Sequence, residues 1–336
     1  MLRIGMIGAG PVGQLAHLAQ YAALPGVQVT ALAELRPELR QQAGAQWGIS
    51  ALYPDHHALL ANEDVDAVVV VVHRPVMAPI VRDALRAGKA VLAEKPMAHS
   101  VAQADLLLAE AQTPYAVGMM KRFDPGVLVA RELLRLWQAD GRHGDLVGVR
   151  GWCLGGPARA DFAGFAMTNE PRPDGLEIWP TAPDWLAGDL IPAYETFLNV
   201  YSHDLNLLRW LMPSEPQVDR VVWRPDDEIL LHFNCGSIPV EFECARRHLP
   251  VWTEGLEIRF QRATMRIDLA TPLQPGAAAR ISVNGLPVTV PPGWAFQAQA
   301  AAFAAWLQGG PTPPTTAAET RGDLVLAEAI WRHACR

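Results

Sequence analysis

Residues 2–13 of this 336-residue chain read Leu-Arg-Ile-Gly-Met-Ile-Gly-Ala-Gly-Pro-Val-Gly, an apolar run of strand type leading into G-x-G-x-x-G. With a strand before it and a helix after it, that spacing is the dinucleotide-binding arrangement. Gly8 permits the tight turn, Gly10 lets the backbone approach a pyrophosphate, and Gly13 lets the helix pack on the strand. Pro11 and Val12 complete the loop. The N–H groups of the helix start then face the phosphates, with the helix dipole favouring the anion. A second predicted strand, 27–33, ends at Glu34, 21 residues beyond Gly13. A carboxylate there accepts from the ribose hydroxyls and repels a 2′-phosphate, which favours NAD. Arg36 leaves NADP possible, since an arginine beside the acid can accommodate that phosphate. A further polar position, Lys95, follows the strand pattern 90–93 within Glu94-Lys95-Pro96. Pro96 ends the strand, so the lysine stands on the rim where a nicotinamide belongs. An ammonium there can stabilise a developing alkoxide or share in proton transfer. Taken alone, it reads equally as a surface lysine at a strand end.

Such residues need a scaffold that brings several strand ends to one rim. The first third of the chain supplies the pattern, with strands predicted at 2–7, 27–33, 66–72, 90–93 and 115–117 and helices at 12–22, 38–47, 76–86 and 101–111. The valine run at 68–72 does not alternate, as expected of a central parallel strand covered on both faces. Alternating β and α units with short links imply a doubly wound parallel sheet whose strands end on one rim. His56 and His57 open a short predicted helix and are expected at the surface. After Asp124 the pattern changes to a long helix, 126–139, and strands at 146–154, 218–223, 228–234, 239–245, 256–261 and 264–269. Short turns between the later strands make a meander, so a largely antiparallel sheet. An irregular insertion, 155–195, separates the first two of these strands and holds Trp179 and Trp185. A loop that long is usually functional or disordered. Helices at 296–307 and 319–333 end the chain. The expected fold is α/β: a doubly wound domain over residues 1–123, then an α+β domain over 124–336 whose terminal helices can pack back on the first.

Composition narrows the function. Hydrophobic content is 50%, charged content 19% and the formal charge −7, with no Lys/Arg run, which argues against a nucleic-acid partner. No apolar segment reaches membrane-spanning length. The chain enters a strand at once, without signal-peptide architecture. Four cysteines, Cys153, Cys235, Cys244 and Cys335, lack metal spacing; no metal is expected, and the thiols are expected to stay reduced in the cytoplasm.

The fingerprint at 8–13, the run Ala87-Gly88-Lys89-Ala90-Val91-Leu92-Ala93-Glu94-Lys95-Pro96 and the segment Lys121-Arg122-Phe123-Asp124-Pro125 together resemble the Gfo/Idh/MocA oxidoreductases. That family includes glucose–fructose oxidoreductase and inositol dehydrogenase, and the similarity extends over nearly the whole chain. It implies a Rossmann domain, a C-terminal domain with a large open sheet, and a homodimer or homotetramer formed through that sheet's open face. It also implies NAD(P)-dependent hydride transfer at a hydroxyl or carbonyl carbon of a sugar, polyol or sugar-derived substrate.

In the family a C-terminal helix commonly carries Asp-x-Gly-x-His followed three residues later by Asp. The matching run here is Asn199-Val200-Tyr201-Ser202-His203-Asp204-Leu205-Asn206. His203 matches the catalytic histidine, and its near-neutral intrinsic pKa suits a general base. Asn199, four residues earlier, shares its helix face. Asn199, Tyr201 and Asn206 stand where the family commonly has Asp, Gly and Asp, and an amide can hold a hydroxyl but cannot ionise. After the strand at 66–72 the family often reads Thr-Pro-Asn. This chain reads Val72-His73-Arg74, and Arg74 can bind a substrate carboxylate or a cofactor phosphate. Residues and resemblance together assign Lys95, His203 and Asn199 to catalysis. Gly8, Gly10, Pro11, Val12, Gly13, Glu34, Arg36, Val72, Arg74, Glu94 and Lys95 are assigned to the cofactor. Arg122, Tyr201, Trp179 and Trp185 are substrate candidates. Two other readings stay open: a cofactor-binding scaffold or sensor without turnover, and a reductase of an imine or conjugated system.

Overall fold

Six strands, β1 (Leu2–Ile7), β2 (Val27–Ala33), β3 (Ala51–Tyr53), β4 (Ala67–Val70), β5 (Ala90–Ala93) and β6 (Tyr115–Val117), pair in parallel in the order β3-β2-β1-β4-β5-β6. This is the doubly wound order that reverses between β1 and β4, where such sheets open a ligand crevice. The computed structural model describes residues 1–156, 163–224, 228–246 and 251–335. Every residue of β4 is buried, as its unalternating valines require. β3 has no counterpart in the sequence reading: its three residues are only partly buried and too few to show an alternation.

The fingerprint runs into a π-helical stretch, Gly13–Leu18, which continues as α1 (Ala19–Ala22). Beyond β2 come α2 (Pro37–Trp47) and α3 (His56–Leu60), and around β5 lie α4 (Arg74–Arg86) and α5 (Val101–Glu110). Ile4, Met6, Leu32, Val69 and Leu92 join Leu18, Tyr21, Leu39 and Phe303 in one hydrophobic core. His56 departs from its expected exposure. It is buried with Nε2 3.2 Å from Asp83, and only His57 faces solvent. A two-histidine start has too little pattern to tell which side chain turns inward.

In the second sheet β7 (Leu146–Cys153), β8 (Gln217–Arg224), β9 (Glu228–Cys235), β10 (Ile238–Cys244), β11 (Glu254–Phe260), β12 (Thr264–Asp268), β13 (Arg280–Val283) and β14 (Leu286–Val288) take the order β14-β13-β12-β11-β7-β10-β9-β8. Pairing is antiparallel except between β7 and β10. The long chain between β7 and β8 lets the second meander return with β10 alongside β7 in the same direction. One face is apolar, with Val149, Leu231, Phe242, Ile258, Met265 and Ile267 buried. α6 (Pro125–Asp140) turns Val127, Ala130, Leu134 and Trp137 inward and packs on β12 and β13. Its N-cap, Asp124, accepts from Gly126 N, Val127 N and Ala279 N, tying the helix start to the approach of β13.

Three further helices complete the chain: α7 (Ile191–Leu211), α8 (Ala295–Leu307) and α9 (Ala317–Ala334). Of the insertion expected over 155–195, residues 157–162 lie outside the described residues, and the last part is already α7. Residues 163–199 and 296–324 gather with the parallel sheet and residues 1–119; the other described residues gather with the second sheet. The chain therefore does not gather as the contiguous halves 1–123 and 124–336. Hydrogen bonds such as those of Gln14 to Ala166 hold the insertion on the parallel-sheet unit. Among the described residues, no helix is long and apolar enough to cross a membrane.

Candidate active site

The three glycines of the fingerprint differ in what they serve. Gly8 has φ +98°, and a Cβ there would overlap the Val71 carbonyl oxygen and approach Val72 Cγ1. A Cβ on Gly13 would stand 2.8 Å from Gly8 O, against the strand end. These two positions are fixed by the fold itself. Gly10 is different: a Cβ there meets nothing within 4 Å. The loop thus presents bare backbone to open space at the one glycine that the fingerprint expects to admit a pyrophosphate. Pro11 and Val12 lead into the π-helical stretch, and Val72 lines the opposite side of Gly8. The residues present fit a dinucleotide.

At the ribose end Glu34 is buried. Its Oε2 accepts from Ala9 N at 2.9 Å, and its Oε1 accepts from Arg36 N at 3.1 Å and Arg36 Nε at 2.8 Å. Burial pushes the carboxyl up, but these hydrogen bonds and the Arg36 charge outweigh it and hold the group below the usual glutamate range. Arg36 is thereby turned onto Glu34.

The next rim element follows β5. Glu94 Oε1 lies 2.7 Å from His17 Nε2, and Oε2 accepts from Lys95 N at 3.1 Å. Glu94 thus braces the π-helical stretch against the turn, with both carboxylate oxygens engaged within the protein. The Lys95–Pro96 peptide is cis. Lys95 Nζ donates to the Asn199 carbonyl oxygen at 2.5 Å and lies 3.5 Å from Asn199 Oδ1. Tyr194 Oη donates to His99 O at 2.8 Å, so two points near the start of α7 are tied to the chain just after β5. The same helix carries His203, buried, one turn beyond Asn199.

Arg74 opens α4 at the end of β4 and is partly buried. Burial lowers its pKa from the ordinary arginine value, with the Glu195 carboxylate opposing. Its Nη1 is buried without a hydrogen-bond partner among the described residues.

Two substrate candidates are corrected by burial. Arg122 is wholly inaccessible, donates from Nη2 to Asn206 O at 2.7 Å and lies over the Trp210 ring. Tyr201 is buried near Cys153, Cys244 and Asp204, and burial first of all pushes its phenol far above the ordinary value. Neither side chain is open to a ligand, so both serve packing. Trp179 donates from Nε1 to Glu177 at 2.8 Å beneath Arg82, and its backbone N–H donates to Pro75 O. Trp185 is partly buried in the same insertion. Lys121 forms a buried ion pair with Glu254, with Asp204 3.8 Å away. Sequence reasoning missed His17, Gln14 and Glu254. The signal for the first two was their polarity on a largely apolar helix following Gly13; Glu254 gave none.

Residues 2–120 match the GFO_IDH_MocA family, described as an oxidoreductase family with an NAD-binding Rossmann fold. An inositol 2-dehydrogenase of Acidothermus cellulolyticus is 28% identical over 226 residues, 66% of this chain and 56% of that protein. The chain spans about half the length of the curated relatives it matches, from 56% for that protein to 40% for an inositol 2-dehydrogenase/D-chiro-inositol 3-dehydrogenase of Shouchella clausii, 34% identical over 139 residues and 40% of this chain. Among solved structures, an aldose-aldose oxidoreductase of Caulobacter crescentus complexed with glycerol superposes with a TM-score of 0.77 at 23% identity, covering 99% of this chain and 97% of that one. A myo-inositol dehydrogenase of Lactobacillus casei in complex with NAD(H) and myo-inositol gives 0.71 at 19%, covering 100% and 95%. The strand order and the glycine cradle agree with this match of residues 2–120 to the GFO_IDH_MocA oxidoreductase family.

Proposed function

We propose that the protein is an NAD-dependent dehydrogenase or reductase acting at a hydroxyl or carbonyl carbon of a sugar, polyol or sugar-derived compound. The observation that carries the reading is the Lys95 ammonium, held on the rim after β5 against the backbone of Asn199, one turn before His203. Gly8, Gly10 and Gly13 with Val72 would admit the pyrophosphate, and Glu34 would hold the ribose. Bound NAD+ supplies the hydride acceptor. His203 removes the hydroxyl proton, and in the reverse direction returns it. Lys95 stabilises the substrate oxygen as it gains negative charge. The Asn199 amide orients that oxygen by hydrogen bonding but takes no proton. The buried Nη1 of Arg74 offers a further donor for an anionic substituent. The names of the relatives, inositol and aldose oxidoreductases, support cyclic polyols and aldoses as the first substrates to try. Association into a homodimer or homotetramer through the open face of the second sheet belongs to the same reading.

The test is Lys95→Ala and His203→Ala, each measured for turnover and for NADH binding. Turnover is expected to fall roughly 10²–10⁴-fold with NADH affinity close to wild type. Near-wild-type turnover in both variants would remove the catalytic assignment.

A further inference from the structure

Near the ribose end of the cradle lies a carboxylate that the account above leaves without a role. Glu170, in the segment gathered with the parallel sheet, caps the start of α2. Glu38 N donates to its Oε1 at 3.1 Å and Leu39 N donates to its Oε2 at 3.1 Å. Thr168 holds it in place, with Oγ1 3.2 Å from Oε2 and accepting from Glu170 N at 3.1 Å. The segment is itself fastened. Gln14 donates to Ala166 O at 2.8 Å and accepts from Ala166 N at 3.1 Å, Gln46 donates to Gly164 O at 2.6 Å, and Phe165 stacks on Trp47.

α2 begins at Pro37, three residues after Glu34. An anion attached at the ribose 2′ position would find two kinds of partner there: the Arg36 guanidinium and the N–H groups at the start of α2. Both are taken, the first by Glu34 and the second by Glu170.

We propose that Glu170 is a specificity-determining residue: its carboxylate fills the 2′-phosphate position of the cofactor crevice and makes the protein select NAD over NADP. The proposal rests on the dinucleotide reading above. A 2′-phosphate must either displace Glu170 from two backbone N–H groups or sit beside two carboxylates, Glu34 and Glu170, with one guanidinium shared among them. NAD brings only a hydroxyl and meets Glu34 alone. Like charges set together without compensation are an effective means of discrimination. The device comes from a residue 136 positions beyond Glu34, so the residues next to β2 do not by themselves reveal it.

The experiment needs no substrate. Wild type, Glu170→Gln and Glu170→Ala are titrated with NADH and NADPH by energy transfer from tryptophan, and with ADP and 2′,5′-ADP by calorimetry. Glu170→Gln keeps an acceptor oxygen for the helix start, and a thermal melt confirms that it is folded. Wild type is expected to bind NADH at least about tenfold tighter than NADPH, and ADP tighter than 2′,5′-ADP. In both variants the ratio narrows by about tenfold or more, through tighter binding of the 2′-phosphorylated ligand, while NADH affinity moves by less than about threefold. An unchanged ratio in both variants, or a wild type that prefers NADPH, overturns the proposal and leaves the dinucleotide reading standing. Binding of neither nucleotide by wild type overturns both.

Discussion

Adding one methyl group at Gly10 and at Gly8 should have opposite consequences. At Gly10 a Cβ meets nothing within 4 Å, and its φ is not in the left-handed region. Gly10→Ala therefore adds no strain to the fold and restricts the unfolded chain, a gain of about 0.4–1 kcal/mol. For a chain of this size that is a rise in Tm of roughly 1–3 °C. The same methyl occupies the space a pyrophosphate must enter. Overpacking of that kind costs about 1–3 kcal/mol, or roughly a 5- to 150-fold loss of NADH affinity. Gly8→Ala combines a φ of +98° with backbone overlap at Val71 O, neither of which can relax without moving the end of β4. Positive φ alone costs about 1–3 kcal/mol, so a total of about 3 kcal/mol or more and a clear drop in Tm are expected. The assay is a thermal melt and an NADH fluorescence titration of each variant. If Gly10→Ala binds NADH as wild type does, the open face of the loop is not the pyrophosphate site. If Gly10→Ala is destabilised as much as Gly8→Ala, Gly10 is structural and the distinction fails.

Burial pushes the Glu94 carboxyl up, but the His17 hydrogen bond, the nearby charges and the Lys95 N–H hold it below its ordinary 4.5. A depressed folded-state pKa makes its stabilisation fully present above pH 4.5 and lost as pH falls through the lower folded value. The stability gap between wild type and Glu94→Gln, measured by urea unfolding, should therefore shrink in acid. His17→Ala leaves Oε1 of that largely buried carboxylate without its partner and should cost about 3 kcal/mol by the same assay. Lys121→Met leaves Asp204 and Glu254 close together in the interior, and a loss of about 3–5 kcal/mol is expected. Arg122→Ala should lower Tm while leaving NADH affinity unchanged in the surviving folded protein, because its guanidinium is sealed against Asn206 O and Trp210.

Four strands of the parallel sheet, β1, β2, β5 and β6, have the predicted bounds; β1, β5 and β6 are buried almost throughout, and a strand covered on both faces leaves a continuous signal. The short strands β3, β13 and β14 left none: unlike β5 and β6 they are only partly buried, and three or four residues are too few to show an alternation instead. The cradle was legible because it depends on where side chains are missing, and glycine identity states that directly. What lay beyond the sequence were pairings between distant residues. Glu94 meets His17 across 77 positions, and Glu170 meets α2 across 132. Arg122 and Tyr201 show the converse: their types suggest ligand contact, but the fold buries them.

The central claim is hydride transfer, and the most direct measurement is NADH formation by the wild-type protein with NAD+ and a panel of inositols, aldoses and their acids. The account predicts NADH formation with at least one of these compounds, abolished in both Lys95→Ala and His203→Ala. Tight NADH binding with no oxidation of any alcohol and no reduction of any corresponding carbonyl would contradict it and identify a protein that holds the cofactor without using it.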